Sequence, residues 1–317
     1  MNLSVIIVTW NTQDIVQECL GSLREQGQSS DTEVIVVDNA SSDQTPQLIQ
    51  NHFPWVRFVQ NDTNLGFAGG NNIGVRLSTG KYIALVNSDV VVPKDCLEKM
   101  IQYMEQHPDI GMLGPKMLLK DGSIGQSCMG FPSIWKWFCR AFALDRLFKS
   151  SRLFGGFLMT HFQYDRVSDV DVLTGWFWMV RREALDRVGL LDERFFMYGE
   201  DIDWSKRFHA AGWRVVFYPE AEAVHYCGAS SSNAPTRFYV EMSRANMQYC
   251  RRYHSKCSVL GFWITMWLHE MNRILAYGAV VLLGIERSSE ARFKIRRSVA
   301  CLRWLMGMKV AEERGKA

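Results

Sequence analysis

Between Phe195 and Trp213 the chain sets three carboxylates, Glu200, Asp201 and Asp203, directly after Gly199 and among Phe195, Phe196 and Trp204. Trp204, Phe208 and Ala211 recur at helical spacing and Gly212 closes the run, so the pattern predicts a helix whose first turn carries the acids. The positive end of a helix favours a carboxylate there, and any single one reads as an ordinary cap. Three acids beside aromatic rings are harder to explain as caps. Desolvation and mutual repulsion oppose their charge unless a basic group, a metal-bound ligand or a proton-donating substrate uses them. Further carboxylates stand at the ends of apolar runs: Asp38 closes Glu33 to Asp38, and Asp89 follows Tyr82 to Asn87 through Ser88. Asp89, a hard oxygen ligand, suits a divalent cation, and a carboxylate beside a reacting hydroxyl suits proton abstraction.

The elements that must hold these residues follow from hydrophobic periodicity. Residues 3 to 9 form a short apolar run ending at Thr9, as expected of a parallel strand covered on both faces. Val16, Cys19, Leu20 and Leu23 mark a helix after it, and Glu33 to Asp38, Val56 to Val59 and Tyr82 to Asn87 read as further strands. Pro93 opens a helix with Leu97, Met100, Ile101 and Met104 on one face. This alternation predicts an α/β fold with an open, mainly parallel sheet flanked by helices, whose ligands lie at the carboxyl ends of the strands. Asn64 to Gly74 reads as a glycine-rich loop. Its glycines superficially match a dinucleotide fingerprint, but that fingerprint links the first strand to the first helix, and this loop comes after at least two strand–helix units.

Residues 120 to 168 mix aromatic and basic side chains without a period and read as a variable insertion or lid. Asp169 to Leu173 and Phe177 to Arg181 read as strands around Thr174-Gly175-Trp176, a turn expected to expose its aromatic ring. Trp213 to Tyr218 is a strand closed by Pro219, and His225 follows in a polar loop. From Ser258 to Ile285 two apolar stretches are split by His269, Glu270, Asn272 and Arg273, so neither reaches the ~20 apolar residues of a spanning helix. Thr265, His269, Asn272 and Arg273 share one side while Phe262, Trp263, Met266 and Trp267 crowd the rest, as in a helix lying in an interface. Its competitor is a C-terminal helix packed on the rest of the protein with a solvated charged face.

The 317 residues allow one large α/β domain with an appendage. Two domains are expected, 1–230 and a helical, amphipathic and basic 231–317 that binds a membrane surface. The formal charge is +3, yet residues 285 to 317 hold nine Lys and Arg against four Glu, so the basic character belongs to the tail. With Trp304, Leu305 and Met308 interleaved, that tail suits an anionic lipid surface and argues against a nucleic-acid partner. Eight cysteines without a C-x-x-C pair read as reduced cytosolic thiols, and the first residues show no signal-peptide pattern.

Taken together, Ser4 to Thr9, Val37 to Ser42, Asn64 to Gly74, Asn87-Ser88-Asp89 and Gly199 to Trp204 resemble, in order and spacing, the inverting glycosyltransferases of family 2 with the GT-A fold. The loop from Asn64, the Leu85 to Asp89 segment and Thr174 to Phe177 are similar to the branch containing rhamnosyltransferases that build bacterial surface polysaccharides on a polyprenyl diphosphate carrier. The resemblance implies transfer of a sugar, L-rhamnose from dTDP-L-rhamnose, to a lipid-diphosphate-linked sugar at the cytoplasmic side of the inner membrane. The alternatives are a UDP-sugar donor, with galactofuranose or a hexose, or a non-catalytic sugar-nucleotide scaffold. The resemblance makes Asp201 the base, with Glu200, Asp203, Trp176 and Trp204 on the acceptor side. It assigns nucleotide binding to Thr9, Asp38, Asn64, Gly66, Asn71, Asn87 and Ser88, and Mg²⁺ or Mn²⁺ to Asp89 and His225. Here Asn87-Ser88-Asp89 departs from the family's Asp-x-Asp, which implies a weaker metal site completed by other ligands.

Overall fold

Runs rich in Val and Ile lay down the first half of a sheet in a computed structural model that describes residues 2–25, 31–226, 234–284 and 288–309. Strands β1 (Leu3–Thr9), β2 (Thr32–Asp38), β3 (Arg57–Gln60) and β4 (Tyr82–Asn87) are parallel in the order β3-β2-β1-β4, and helices α1 (Val16–Glu25), α2 (Thr45–His52) and α3 (Gly66–Leu77) connect them. Thr9 and Asp38 are register partners at adjacent carboxyl ends, and Val8 faces Asn87. The expected alternation is therefore present through Asn87.

The glycine-rich stretch is corrected by the structure, because Gly66–Leu77 is a helix and not a loop. Its glycines let that helix lie close on β1: a side chain at Gly70 would strike Val8 at 2.8 Å, and one at Gly74 would strike Ile6 at 2.3 Å. Helix propensity gives way here to close approach of two backbones.

Past β4 the sheet becomes mixed. The remaining elements in this unit are β5 (Val90–Val91), α4 (Cys96–Gln106), β6 (Ile110–Leu118), β7 (Cys128–Met129), and, after residue 162, β8 (Ser168–Asp169), β9 (Val172–Leu173), β10 (Phe177–Arg181), α7 (Arg182–Val188), α8 (Glu200–Ala210) and β11 (Arg214–His225). The main sheet runs β3-β2-β1-β4-β10-β6-β11-β5, with β10 antiparallel to both neighbours, β6 parallel to β11, and β8 beside β11. Strand β6 is absent from the sequence expectation because Gly111, Gly114 and Pro115 interrupt its apolar run. Those glycines admit Trp213 and Leu173, whose side chains a Cβ would meet at 2.7 Å. Pro219 does not end the last strand; β11 continues through it to His225, with a register shift between Tyr218 and Glu222. An irregularity of that kind lets a strand carry a proline.

The chain divides into two compact units, Met1–Met129 with Gln163–Ser230, and Gly130–Phe162 with Ser231–Ala317. Residues 130–162, expected as an insertion in the first domain, thus group with the C-terminal helices. The second unit contains α5 (Ile134–Ala141), α6 (Leu144–Leu147), α9 (Pro235–Tyr253), α10 (Lys256–Leu282) and α11 (Ser288–Leu305). Its core joins Trp137 and Phe157 to Met247, Cys250, Phe262 and Met266. Phe262 and Met266 therefore face protein, which corrects the expectation that they belong to a lipid-facing side of α10. The exposed large apolar residues of α10 are Leu260, Ile264, Leu275 and Leu282. Among the described residues no helix is long and apolar enough to cross a membrane. The basic tail beyond residue 309, and residues 285–287 before it, lie outside the described residues.

Candidate active site

The turn 174–176 gathers the candidate residues in the first unit. It precedes β10, and the Asn87 amide at the end of β4 donates to the Trp176 carbonyl at 3.0 Å. Trp176 is buried, which corrects the exposed aromatic expected from the sequence; its ring stacks on His225 at 5.5 Å and 19°. His225 closes β11 opposite Val90, not in a loop, and its Nε2 stands 3.0 Å from Asp89 Oδ1. The chain beyond it, from Cys227 to Asn233, lies outside the described residues.

On the other side of the turn lie the acids. Gly199, at φ 79°, begins α8, preceded by Tyr198 at φ 67°, a left-handed conformation that L side chains rarely adopt. The hairpin of chain before it is fastened to α3: the Phe67 amide donates to the Phe196 carbonyl at 2.8 Å, and a side chain at Gly66 would strike that carbonyl oxygen. Gly175 leaves room for Glu200, whose Oε1 would sit 3.5 Å from a Cβ placed there.

Burial dominates the electrostatics of this pair. It pushes the Asp201 carboxyl up to about 6, against the backbone amides of Ile202, Gly175 and Gly199 that hold the charged form. The Ile202 amide donates to Asp201 Oδ1 at 2.8 Å. Glu200 is raised well above the usual carboxylate range by burial and then by the charge of Asp201, and its Oε2 is buried without a hydrogen-bond partner. Two adjacent carboxyls of this kind titrate as a pair, with burial opposing the presence of two charges at once.

Other expected acceptor residues are placed elsewhere. Asp203 is wholly buried and accepts from Arg207 Nε at 2.8 Å one turn on, an ion pair that anchors α8. Trp204 is 1% exposed, wedged between Trp178 and Phe208 with its Nε1 donating to the Gly189 carbonyl. No face of it is left to stack on a sugar, which corrects that expectation.

Of the expected nucleotide residues, Thr9 and Asp38 meet at the carboxyl ends of β1 and β2, Asn64, Gly66 and Asn71 lie at or in α3, and Asn87 ends β4 with Ser88 after it. Asp38 accepts from Thr9 Oγ1 at 3.0 Å and from the Ser41 amide at 2.9 Å. Asn64 caps the start of α3, its Oδ1 accepting from the Gly66 amide at 2.9 Å. Asn71 is buried, its Nδ2 donating to the Phe67 carbonyl within its own helix at 2.9 Å. Ser88 is buried and Asn87 partly exposed. Sequence reasoning missed Asn72, which donates to the Leu191 carbonyl at 2.9 Å and Glu193 Oε1 at 2.8 Å and thereby ties the loop before α8 to α3. Only its distant partners, more than a hundred residues on, distinguish it from Asn71.

The Asp89 carboxylate and the His225 imidazole converge as an oxygen and a nitrogen donor. Among the described residues no third His, Cys, Asp or Glu joins them to make a cluster. The pair supplies two donors of the kind a divalent ion takes, a carboxylate oxygen and an imidazole nitrogen. Oxygen with one imidazole suits Mn²⁺ as well as Mg²⁺.

Comparison with known proteins agrees with this layout. The model of glycosyl transferase family 2 matches residues 4–189, more than half of the chain. The chain belongs to glycosyl transferase family 2. That match includes Thr9, Asp38 and Asp89 but stops before Glu200 and His225. Over 310 residues the chain is 26% identical to the N-acetylglucosaminyl-diphospho-decaprenol L-rhamnosyltransferase of Mycobacterium tuberculosis, covering 92% of this chain and 97% of that protein. Among solved structures, the mannosyltransferase PcManGT of Pyrobaculum calidifontis, in complex with GDP-Man and Mn²⁺, superposes with TM-score 0.57 at 17% identity over 95% of this chain and 87% of its own. S. aureus TarS 1-349 gives TM-score 0.53 at 16% identity over 100% and 98%. These glycosyltransferase structures share the GT-A fold with this family 2 enzyme.

Proposed function

We propose that this glycosyltransferase moves L-rhamnose from dTDP-L-rhamnose, with inversion, to a polyprenyl-diphosphate-linked sugar in the assembly of cell-surface polysaccharide. It works as a peripheral protein on the cytoplasmic side of the inner membrane, against anionic lipid. The observation that carries the catalytic reading is the turn 174–176, which has the Asp89 and His225 pair on one side and the Glu200 and Asp201 pair on the other. The printed activity of the mycobacterial relative supports the choice of donor and acceptor.

In this reading Thr9, Asp38 and the start of α3 shape the nucleotide side. Asp89 and His225 would hold Mn²⁺ or Mg²⁺, and that ion would supply positive charge against the diphosphate. Asp201 faces the acceptor and takes the proton of its attacking hydroxyl as the new bond to the sugar's C1 forms. The bond from C1 to the diphosphate oxygen breaks, and its electron pair leaves with the nucleotide. With its carboxyl titrating at about 6, Asp201 is ionised at neutral pH yet basic enough to hold a proton. Glu200, whose charged form burial disfavours, positions the acceptor beside it.

The test is to incubate the purified protein with a panel of nucleotide sugars and a short-chain polyprenyl diphosphate sugar, with and without Mn²⁺, and to weigh the products. A deoxyhexose added from dTDP-L-rhamnose alone supports the reading. Addition of a hexose only from a UDP-sugar would move the donor, and donor binding without transfer or hydrolysis would favour a scaffold.

A further inference from the structure

The second unit contains a cluster of cations that the reaction above does not use. Asn272 Nδ2 donates to the Ala141 carbonyl at 3.0 Å and fastens α10 to the end of α5, beside Arg140. His269, one turn before Arg273 on α10, lies in the field of Arg140, Arg273 and Arg146. Burial first, and these cations next, push its imidazole down to about 3, so it is neutral. Arg273 Nη2 and His269 Nδ1 are both buried without a hydrogen-bond partner. The Arg273 guanidinium lies against the rings of Tyr239 and Tyr277 at 5.5 and 5.4 Å and donates from Nε to Ser298 Oγ at 3.2 Å.

The acids nearby offset part of this charge, Asp145 acting on Arg140 and Glu270 pairing loosely with Arg273, but they leave the Arg273 Nη2 donors unfilled. Glu270 Oε2 stands 3.8 Å from Arg273 Nε, beyond hydrogen-bond reach, while its Oε1 accepts from the Tyr239 hydroxyl at 2.6 Å. Burial raises the Glu270 carboxyl, which favours its neutral form. Asp145 Oδ1 is buried with no hydrogen-bond partner. Buried guanidinium groups with open N–H positions are costly unless an anion or water completes them. Arginine is the side chain best shaped to take a phosphate through paired N–H donors.

We propose that Arg140, Arg273 and His269 form a binding site for a phosphate or diphosphate group, and that a lipid head group supplies it. This deepens the acceptor half of the proposed function and rests on it for the identity of the lipid. The lipid source is favoured by what the same helix presents. Trp135, Phe138 and Phe142 lie along α5 at i, i+3 and i+7, each more than a third exposed, with Trp135 and Phe138 stacked at 5.7 Å. Leu147, Phe148 and Leu153 continue the apolar surface. Fourteen of the sixteen exposed large apolar residues among those described belong to this unit, so an anion site here is bordered by surface that favours an acyl or isoprenoid chain.

The experiment compares full-length protein with Arg140→Gln, Arg273→Gln and Arg273→Lys. Binding is measured to phosphatidylcholine vesicles carrying a polyprenyl diphosphate, to vesicles of equal charge carrying phosphatidylglycerol, and to inorganic diphosphate in solution. Both Gln variants are expected to bind the diphosphate vesicles about tenfold more weakly or worse, Arg273→Lys to recover only part of this, and phosphatidylglycerol binding to change little. Inorganic diphosphate should compete in the wild type. If it binds with the same variant sensitivity while the polyprenyl vesicles do not, the phosphate chemistry stands and the source is a free anion. Unchanged binding in both Gln variants, or equal loss on both vesicle types, overturns the site. Arg140→Gln, on a partly exposed residue, carries the test if Arg273→Gln does not fold. Donor-nucleotide binding in the first unit is read in parallel: its retention in the variants isolates this site, whereas its absence in the wild type counts against the proposed function instead.

Discussion

Asp38, at the carboxyl end of β2, and Asp201, in the first turn of α8, are both buried carboxylates, but their surroundings differ. Asp38 is saturated by side chains and backbone of its own neighbourhood, with Thr9 and Ser41 donating to both of its oxygens. Asp201 is held by backbone amides alone, and beside it Glu200 has an oxygen with no partner at all. A buried acid whose hydrogen bonds are complete stabilises structure and presents a fixed shape. One left incomplete holds energy that a substrate proton can relieve.

The sharpest test of that difference is Asp201→Asn, which keeps the outline of the side chain but cannot accept a proton. Transfer should fall by ~10²–10⁴ while donor affinity stays near wild type, as measured by product formation and by titration calorimetry. Glu200→Gln should lose far less, because it copies the protonated acid; rapid transfer by Asp201→Asn would move the base elsewhere.

Next in size is Asp89→Ala, expected to abolish the Mn²⁺ stimulation of donor binding. His225→Ala should weaken the stimulation and not abolish it, since an imidazole adds affinity without charge. Calorimetry with and without Mn²⁺ reads both, and undiminished stimulation in Asp89→Ala would place the ion on other residues.

Asp38→Ala tests the saturated side of the comparison. It strips the buried Thr9 hydroxyl and Ser41 amide of their acceptor, so thermal unfolding should report a loss of about 2 kcal/mol. A loss of turnover at unchanged stability and donor affinity would erase the distinction drawn between the two acids.

The smallest effect is in pH dependence. Asp201 must be ionised to act, so the rate should rise through about pH 6 and level above it. The limb should stay there in Glu200→Gln. Because the folded-state value lies above the ordinary carboxylate value of 3.8, this group's contribution to stability is greatest below that value and is lost as pH rises through about 6. Asp201→Asn should therefore flatten the dependence of Tm on pH across that interval, and an unaltered curve would show that another group sets it.

Much of the first half was legible because single-period patterns report it. Buried parallel strands are continuous apolar runs, and the acidic helix announces itself by Trp204, Phe208 and Gly212. The same patterns misled where two backbones approach closely. Gly66 to Gly74 reads as a loop until β1 is laid against it, and Ile110 to Leu118 hides behind glycines that make room for Leu173 and Trp213. Which face of α10 is apolar was readable; that Phe262 and Met266 meet Trp137 and Phe157 was not, because those partners lie more than a hundred residues earlier.

The sequence by itself determined the residue types able to do the chemistry, their order, and the strand ends on which Thr9, Asp38 and Asp89 stand, since these depend on local periodicity. Only the tertiary structure decided which of them have unused bonding capacity. It paired Asp203 with Arg207 and set Trp204 in the core, set His225 against Asp89 across 136 positions, gave Asp201 backbone amides, and left one Glu200 oxygen without a partner. Saturation is a property of what surrounds a group in space, and that depends on contacts between segments far apart in the chain.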